Sequence, residues 1–169
     1  MPRLMLLRHG KSDWDTSYRG DRNRPLSRRG ERASATMGIV LRNMGEVPDR
    51  VISSSALRAE STAALVRLSG GWDAPLEITD DLYGASPDEA LEVAARCGGE
   101  SERLMLVGHE PTWSLLAERI TGGKVAVRTA TVVAFDLNAA SWDLAPRSYG
   151  TLAYALHPRM FDGADWRLE

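Results

Sequence analysis

Cysteine, lysine and long apolar runs are all scarce in this 169-residue chain, and each shortage excludes something. A single cysteine, Cys97, rules out an intramolecular disulfide and fits a reducing, cytoplasmic setting. No apolar run approaches the roughly 20 residues of a membrane span, so no membrane association is expected. Met1-Pro2-Arg3-Leu4 leads straight into a strand-like segment, with nothing that reads as a targeting leader. With 21 basic against 23 acidic side chains the net charge is −2, which argues against a nucleic-acid partner. A chain of this length that is 43% apolar buries a core without disulfide or metal support, and 1–169 is expected to form a single domain.

The shortage of lysine is the informative one. Lys11 and Lys124 are the only two, against 19 arginines. Biased composition explains such an excess, and so does a need for forked recognition of phosphate or carboxylate. The distribution is uneven: six arginines fall between Arg19 and Arg32 against two acids, Asp21 and Glu31. A solvated basic loop and an electrostatic funnel for an anion both fit that cluster, and location must decide between them.

The chain alternates strand and helix signals. Leu4 to Leu7 reads as a buried strand, and residues 11–26 as a polar loop. Ser27 caps a helix through Leu41; Val51-Ile52 begins a strand followed by a helix over Leu57 to Leu68. Leu76 to Ile78 is a short strand, and Ser86-Pro87-Asp88-Glu89 opens a helix that stops at Gly98-Gly99. Leu104 to Val107 is the next buried strand, and Pro111 opens the following helix. Thr131 to Leu137 and Ser141 to Leu144 read as strands around a turn at Asn138-Ala139-Ala140, with a last strand over Leu152 to Leu156. The expected fold is a three-layer α/β sandwich, its mainly parallel central sheet covered by helices on both faces and closed by an antiparallel edge.

Three polar segments follow three of these strands: Arg8-His9-Gly10, Ser53-Ser54-Ser55-Ala56-Leu57-Arg58 and Gly108-His109-Glu110-Pro111. In an open parallel sheet, ligands bind at the edge formed by the carboxyl ends of the strands. If the three strands are neighbours, Arg8, His9, Arg58 and His109 share one spot, with no acidic residue in the first segment to balance them. Histidine and arginine packed together repel unless an anion lies between them, and a phosphoryl group supplies one. Taken singly, each residue also fits an ordinary loop or helix-surface position.

Leu6-Leu7-Arg8-His9-Gly10-Lys11-Ser12-Asp13-Trp14 resembles the signature of the histidine phosphatase superfamily, the phosphoglycerate-mutase-like proteins. Val51 to Ala63 resembles its second signature and Leu106 to Pro111 its third. The short length, Lys11-Ser12-Asp13-Trp14 and Asp21-Arg22-Asn23-Arg24-Pro25-Leu26 are similar to the SixA-like phosphohistidine phosphatase branch. The resemblance implies a phosphatase that hydrolyses phosphohistidine or another activated phosphate without a metal or cofactor, through a phosphorylated His9. It implies Arg8, Arg58 and His109 as the phosphate clamp. His109, protonated beside the dianion, would add positive charge or a donor, and backbone N–H groups near Glu110 and the helix opening at Pro111 a further anion-binding element. Ser12, Trp14, Arg22 and Arg24 are expected at the pocket mouth, with Arg22 and Arg24 steering anions. For Trp14 a second reading, plain packing, stays open; His157 reads as a surface residue.

The sequence departs from the family pattern in three places. Ser55 stands where the second signature usually has proline, and Asp15 where many relatives carry a phosphate-contacting asparagine. The general-acid glutamate of many relatives has no counterpart in Asp80-Asp81-Leu82-Tyr83-Gly84-Ala85. General-acid help is worth about 10²–10⁴-fold, most where the leaving group is an alkoxide, so its loss favours phosphoramidate, acyl or aryl phosphates. Asp13 and Asp81 are the candidate substitute acids. The alternatives are a general phosphomonoesterase for sugar or nucleotide phosphates, and a phosphate-binding module without turnover. Oligomeric state has no signature in the sequence, and nothing marks Arg147, Arg159 or Arg167 for a role.

Overall fold

The computed structural model describes residues 1–162; Arg167 lies outside them. Six strands form one sheet: β1 (Arg3–Arg8), β2 (Arg50–Ser54), β3 (Leu76–Thr79), β4 (Arg103–Gly108), β5 (Val132–Leu137) and β6 (Gly150–Leu156). Their order is β3-β2-β4-β1-β5-β6. The first four are parallel, and β5 and β6 add an antiparallel edge. Four helices cover it: α1 (Arg28–Asn43), α2 (Leu57–Gly70), α3 (Pro87–Gly98) and α4 (Thr112–Thr121).

Alternation along the central strands builds the three layers. Leu4, Leu6, Leu104, Leu106, Val133 and Phe135 face a core completed by Leu91 and Ala94 of α3 and by Trp113 and Leu116 of α4. Met5, Leu7, Met105, Val107, Val132 and Ala134 face the opposite core, with Met37 and Leu41 of α1 and Ala63 and Val66 of α2. Buried on both faces, β1 and β4 read as continuous apolar runs, as central parallel strands do. Caps set the helix starts. Ser27 Oγ accepts from Gly30 N–H at 3.2 Å, and Ser86 and Glu89 form a reciprocal capping box.

One expected strand is absent. Ser141 to Leu144 does not pair; Trp142–Arg147 forms a 3₁₀ helix instead. Trp142 and Ala145, three residues apart, are both buried, a spacing that suits a 3₁₀ turn. The indole of Trp142 lies against Gly98 at the end of α3 and donates from Nε1 to the Ser101 carbonyl at 2.7 Å. Burial of a large ring against α3 outweighs extension of the sheet. Among the described residues, no helix is long and apolar enough to cross a membrane.

Candidate active site

Strands β2, β4 and β1 are adjacent and parallel, so the segments that follow them emerge on one edge of the sheet. There Arg8, His9, Lys11, Ser12, Trp14, Arg24, Arg58, His109, Glu110 and Thr129 line a 260 Å³ cavity. The loop carrying His9 is tied down from several sides. His9 N–H donates to the Gly108 carbonyl at 3.0 Å, and Gly10 N–H donates to Thr62 Oγ1 at 3.0 Å. The Thr62 hydroxyl in turn donates to the Arg58 carbonyl at 2.7 Å, coupling the loop to α2. Gly30 lets α1 press against the loop: a Cβ there would sit 2.2 Å from the Lys11 carbonyl oxygen. Trp113 Nε1 donates to the Leu7 carbonyl at 2.9 Å and fixes the start of α4 beneath the site.

His9 is buried, with Nδ1 2.7 Å from the Gly10 carbonyl. A carbonyl only accepts, so Nδ1 carries the proton and Nε2 keeps its lone pair. Burial first, then the charges of His109, Arg58 and Arg8, push its pKa down to about 3, although the Gly10 bond opposes this. The ring is therefore neutral near pH 7, as a nucleophile must be. His109 lies 5.2 Å away, ring centre to ring centre, and its Nε2 shares a 2.8 Å hydrogen bond with Ser54 Oγ. Burial and then Arg58 lower its pKa to about 4, with Asp21 opposing. His109 is thus neutral near pH 7 in the site taken alone. Its protonation requires an added anion to offset the arginine field.

The two arginines differ in their partners. Arg8 donates from Nη1 to the Val127 carbonyl at 3.1 Å, and burial lowers its pKa against the opposing charge of Glu110. Arg58, 6% exposed, donates from Nη1 to the Asp21 carbonyl at 2.8 Å and from Nη2 to Asp21 Oδ2 at 2.9 Å. Asp21 also accepts from Arg24 at 2.8 Å and from the Tyr83 hydroxyl at 3.1 Å. The cationic edge therefore has carboxylate neighbours after all. The loop after β1 folds back over the sheet edge, held by a Ser12–Leu26 bridge and a 3₁₀ turn over Asp21–Asn23, and it delivers Asp21.

The expected mouth residues separate. Ser12, Trp14 and Arg24 line the cavity. Arg24 is buried, donates to Ser12 Oγ and Asp21, and stacks 3.7 Å from the centre of the exposed Trp14 ring. Arg22 does not line it: its guanidinium pairs with Asp80 at 2.8 Å and covers Tyr83. Neither candidate substitute acid is at the cavity. Asp13 accepts from Asp15 N–H and the Thr16 hydroxyl, and Asp81 pairs with Arg96. Among the described residues, Glu110 is the one carboxylate in the lining. Asp21, Ser54, Thr62 and Tyr83 were not legible as site partners, because their contacts exist only once the loop and strands are assembled.

The family model for the histidine phosphatase superfamily (branch 1) matches residues 4–86, which carry the first two motifs. The chain belongs to the histidine phosphatase superfamily. An uncharacterized protein of Mycobacterium tuberculosis is 40% identical over 111 residues, covering 66% of this chain and 67% of the relative. Two solved structures share the histidine phosphatase fold. A candidate phosphohistidine phosphatase SixA from Agrobacterium tumefaciens superposes with a TM-score of 0.79 at 23% identity, over 94% of this chain and 99% of that one. The protein histidine phosphatase SixA, complexed with tungstate, gives 0.76 at 20% identity over the same shares. At these identities the two show the fold alone.

Proposed function

We propose that the protein is a metal-independent phosphatase acting on phosphohistidine or another activated phosphate through a phosphorylated His9. One observation carries the reading: a buried, neutral histidine whose Nδ1–H is fixed on the Gly10 carbonyl lines a cavity together with Arg8, Arg58 and His109. His9 Nε2 attacks phosphorus in line, and the P–N bond forms as the leaving group departs with the electron pair of its own bond to phosphorus. Water then attacks the phosphohistidine, the P–N bond breaks back onto Nε2, and inorganic phosphate leaves. Arg8 and Arg58 grip the equatorial oxygens through charge-assisted hydrogen bonds. His109 takes up a proton beside the dianion, and this positive charge does the electrostatic work otherwise given to a metal. Tungstate, the ligand in the SixA complex, is a tetrahedral oxyanion of the kind such a clamp suits.

A general phosphomonoesterase is the second reading, and Glu110 favours it as the carboxyl group that lines the cavity, the side-chain type that assists an alkoxide leaving group. Relative kcat/KM on a phosphohistidine peptide and on sugar phosphates, each with and without chelator, decides between them. The first reading expects the peptide to be preferred and chelator to change nothing. Sugar phosphate preference supports the second, and loss of activity on chelation contradicts the metal-free mechanism. Turnover of none of these substrates, with phosphate still bound, would return the protein to a binding module.

A further inference from the structure

A second cavity, of 440 Å³, adjoins the first. Its walls include Lys11, Arg29, Arg32, Thr129, His157 and Arg159, with Asp162 as its acidic member. Lys11 and Thr129 line both cavities, so the two meet across the loop that carries His9.

What marks this second cavity, among the described residues, is a gathering of cations without carboxylate partners in one hollow. Arg3, Arg22, Arg24, Arg50, Arg58, Arg96, Arg103 and Arg119 each pair with a carboxylate. Among the described residues, Lys11, Arg29, Arg32 and Arg159 do not, although the fold gathers all four around one hollow. His157 registers their field: burial and then Arg128, Arg159 and Arg29 lower its pKa against the pull of Asp162. Its Nδ1 accepts from Arg159 N–H at 3.2 Å, which leaves the ring proton on Nε2 as a donor. A concave, like-charged wall focuses its potential and raises the local concentration of anions. A solvated basic face explains exposed arginines one by one, but not their convergence on a hollow that shares two residues with the candidate active site.

We propose that this cavity is a second anion subsite, which takes a phosphate or carboxylate on the same small molecule whose phosphoryl group reaches His9. Resting on the phosphatase reading, it adds to phosphohistidine a definite class within the other activated phosphates: small molecules with two anionic groups. One group enters the Arg8–Arg58 clamp while the other lies among Arg29, Arg32 and Arg159, with Lys11 between the two.

The test is calorimetric binding, at fixed ionic strength, of alkane-α,ω-bisphosphonates of increasing chain length and of the alkylmonophosphonates of equal length. The expected result is one chain length at which the bisphosphonate binds at least about tenfold more tightly than its monophosphonate. The exposed double substitution Arg29→Ala/Arg32→Ala, checked for folding by circular dichroism, then removes that gap. Monophosphonate binding and the hydrolysis of para-nitrophenyl phosphate stay as they were. Equal affinities at every length, or a gap that survives the double substitution, would overturn the subsite. Failure of the phosphatase reading shows itself separately, as bound phosphonates with no turnover of any phosphate ester or phosphoramidate.

Discussion

Asp21 grips Arg58 twice, through its backbone carbonyl at 2.8 Å and through Oδ2 at 2.9 Å, and so fixes the plane of a guanidinium that lines the candidate active site. Its carboxyl group is held at a pKa of about 2: burial alone would raise it, but the bonds from Arg24, Arg58 and Tyr83 prevail. A carboxylate beside the proposed phosphate clamp weakens the field an anion feels while keeping the Arg24 and Arg58 guanidinium groups in place. The same residue raises the pKa of His109 against burial and Arg58.

Replacing Asp21 with Asn should therefore move the His109 titration below its value of about 4, and saturating phosphate should move it up in both proteins. NMR titration of the ring nitrogens measures both shifts, and a His109 that ionises near 6.5 in the free protein would contradict the assigned field. A stability consequence follows. His9 and His109 take up protons more readily in the unfolded chain than in the fold, so acidification favours unfolding. Their contribution is whole above the unfolded value of about 6.5 and is lost progressively toward the folded values of about 3 and 4. Urea midpoints across that range should fall with pH, less steeply in His9→Gln.

Arg24 and Arg22 should behave differently although the sequence treats them alike. Arg24 is buried and holds Ser12, Asp21 and Trp14 together, so Arg24→Ala should lower kcat/KM by about tenfold or more at low and high salt alike. Arg22 is spent on an exposed ion pair with Asp80, and Arg22→Ala should change kcat/KM by less than about threefold. A salt-sensitive, equal loss in both variants would restore the simple steering role.

Gly30→Ala sets helix propensity against contact. Alanine would favour α1 by about 1 kcal/mol. The new Cβ, however, would meet the Lys11 carbonyl oxygen at 2.2 Å, and that backbone belongs to the loop carrying His9. Relief of such overpacking typically costs about 1–3 kcal/mol, so the substitution should destabilise the protein and reduce turnover together. Denaturant unfolding and steady-state kinetics check it; a more stable and fully active variant would show that the loop has room.

Glu110→Gln tests the one carboxyl group that lines the cavity among the described residues. If Glu110 protonates the leaving group, its loss should lower turnover of alkyl phosphates by about 10²-fold or more and spare aryl phosphates and phosphohistidine. Comparing kcat/KM across a leaving-group series reads this slope, and an equal loss for all substrates would assign Glu110 to binding alone.

Much of this was legible in the sequence because it rests on local rules. Leu4–Leu7 and Leu104–Val107 announce central strands by being apolar at every position, and Ser86-Pro87-Asp88-Glu89 spells out its own capping box. The convergence of Arg8, His9, Arg58 and His109 needed only the strand order β2-β4-β1. The failures depend on contacts between distant segments. Trp142 turns a strand-like stretch into a 3₁₀ helix because it packs on Gly98. Arg22 and Arg24, two residues apart, point to different partners because the loop turns at Asp21–Asn23. Asp13 and Asp81 are consumed by neighbours that no spacing rule identifies.

The most direct test of the central claim is to mix the protein with a large excess of para-nitrophenyl phosphate or phosphohistidine peptide. The reaction is quenched in alkali within one turnover, and the phosphate is located by mass spectrometry. Phosphate on His9, labile in acid and absent from His9→Ala together with turnover, is the result predicted. Undiminished hydrolysis by His9→Ala, or stable phosphate on another residue, would contradict the account.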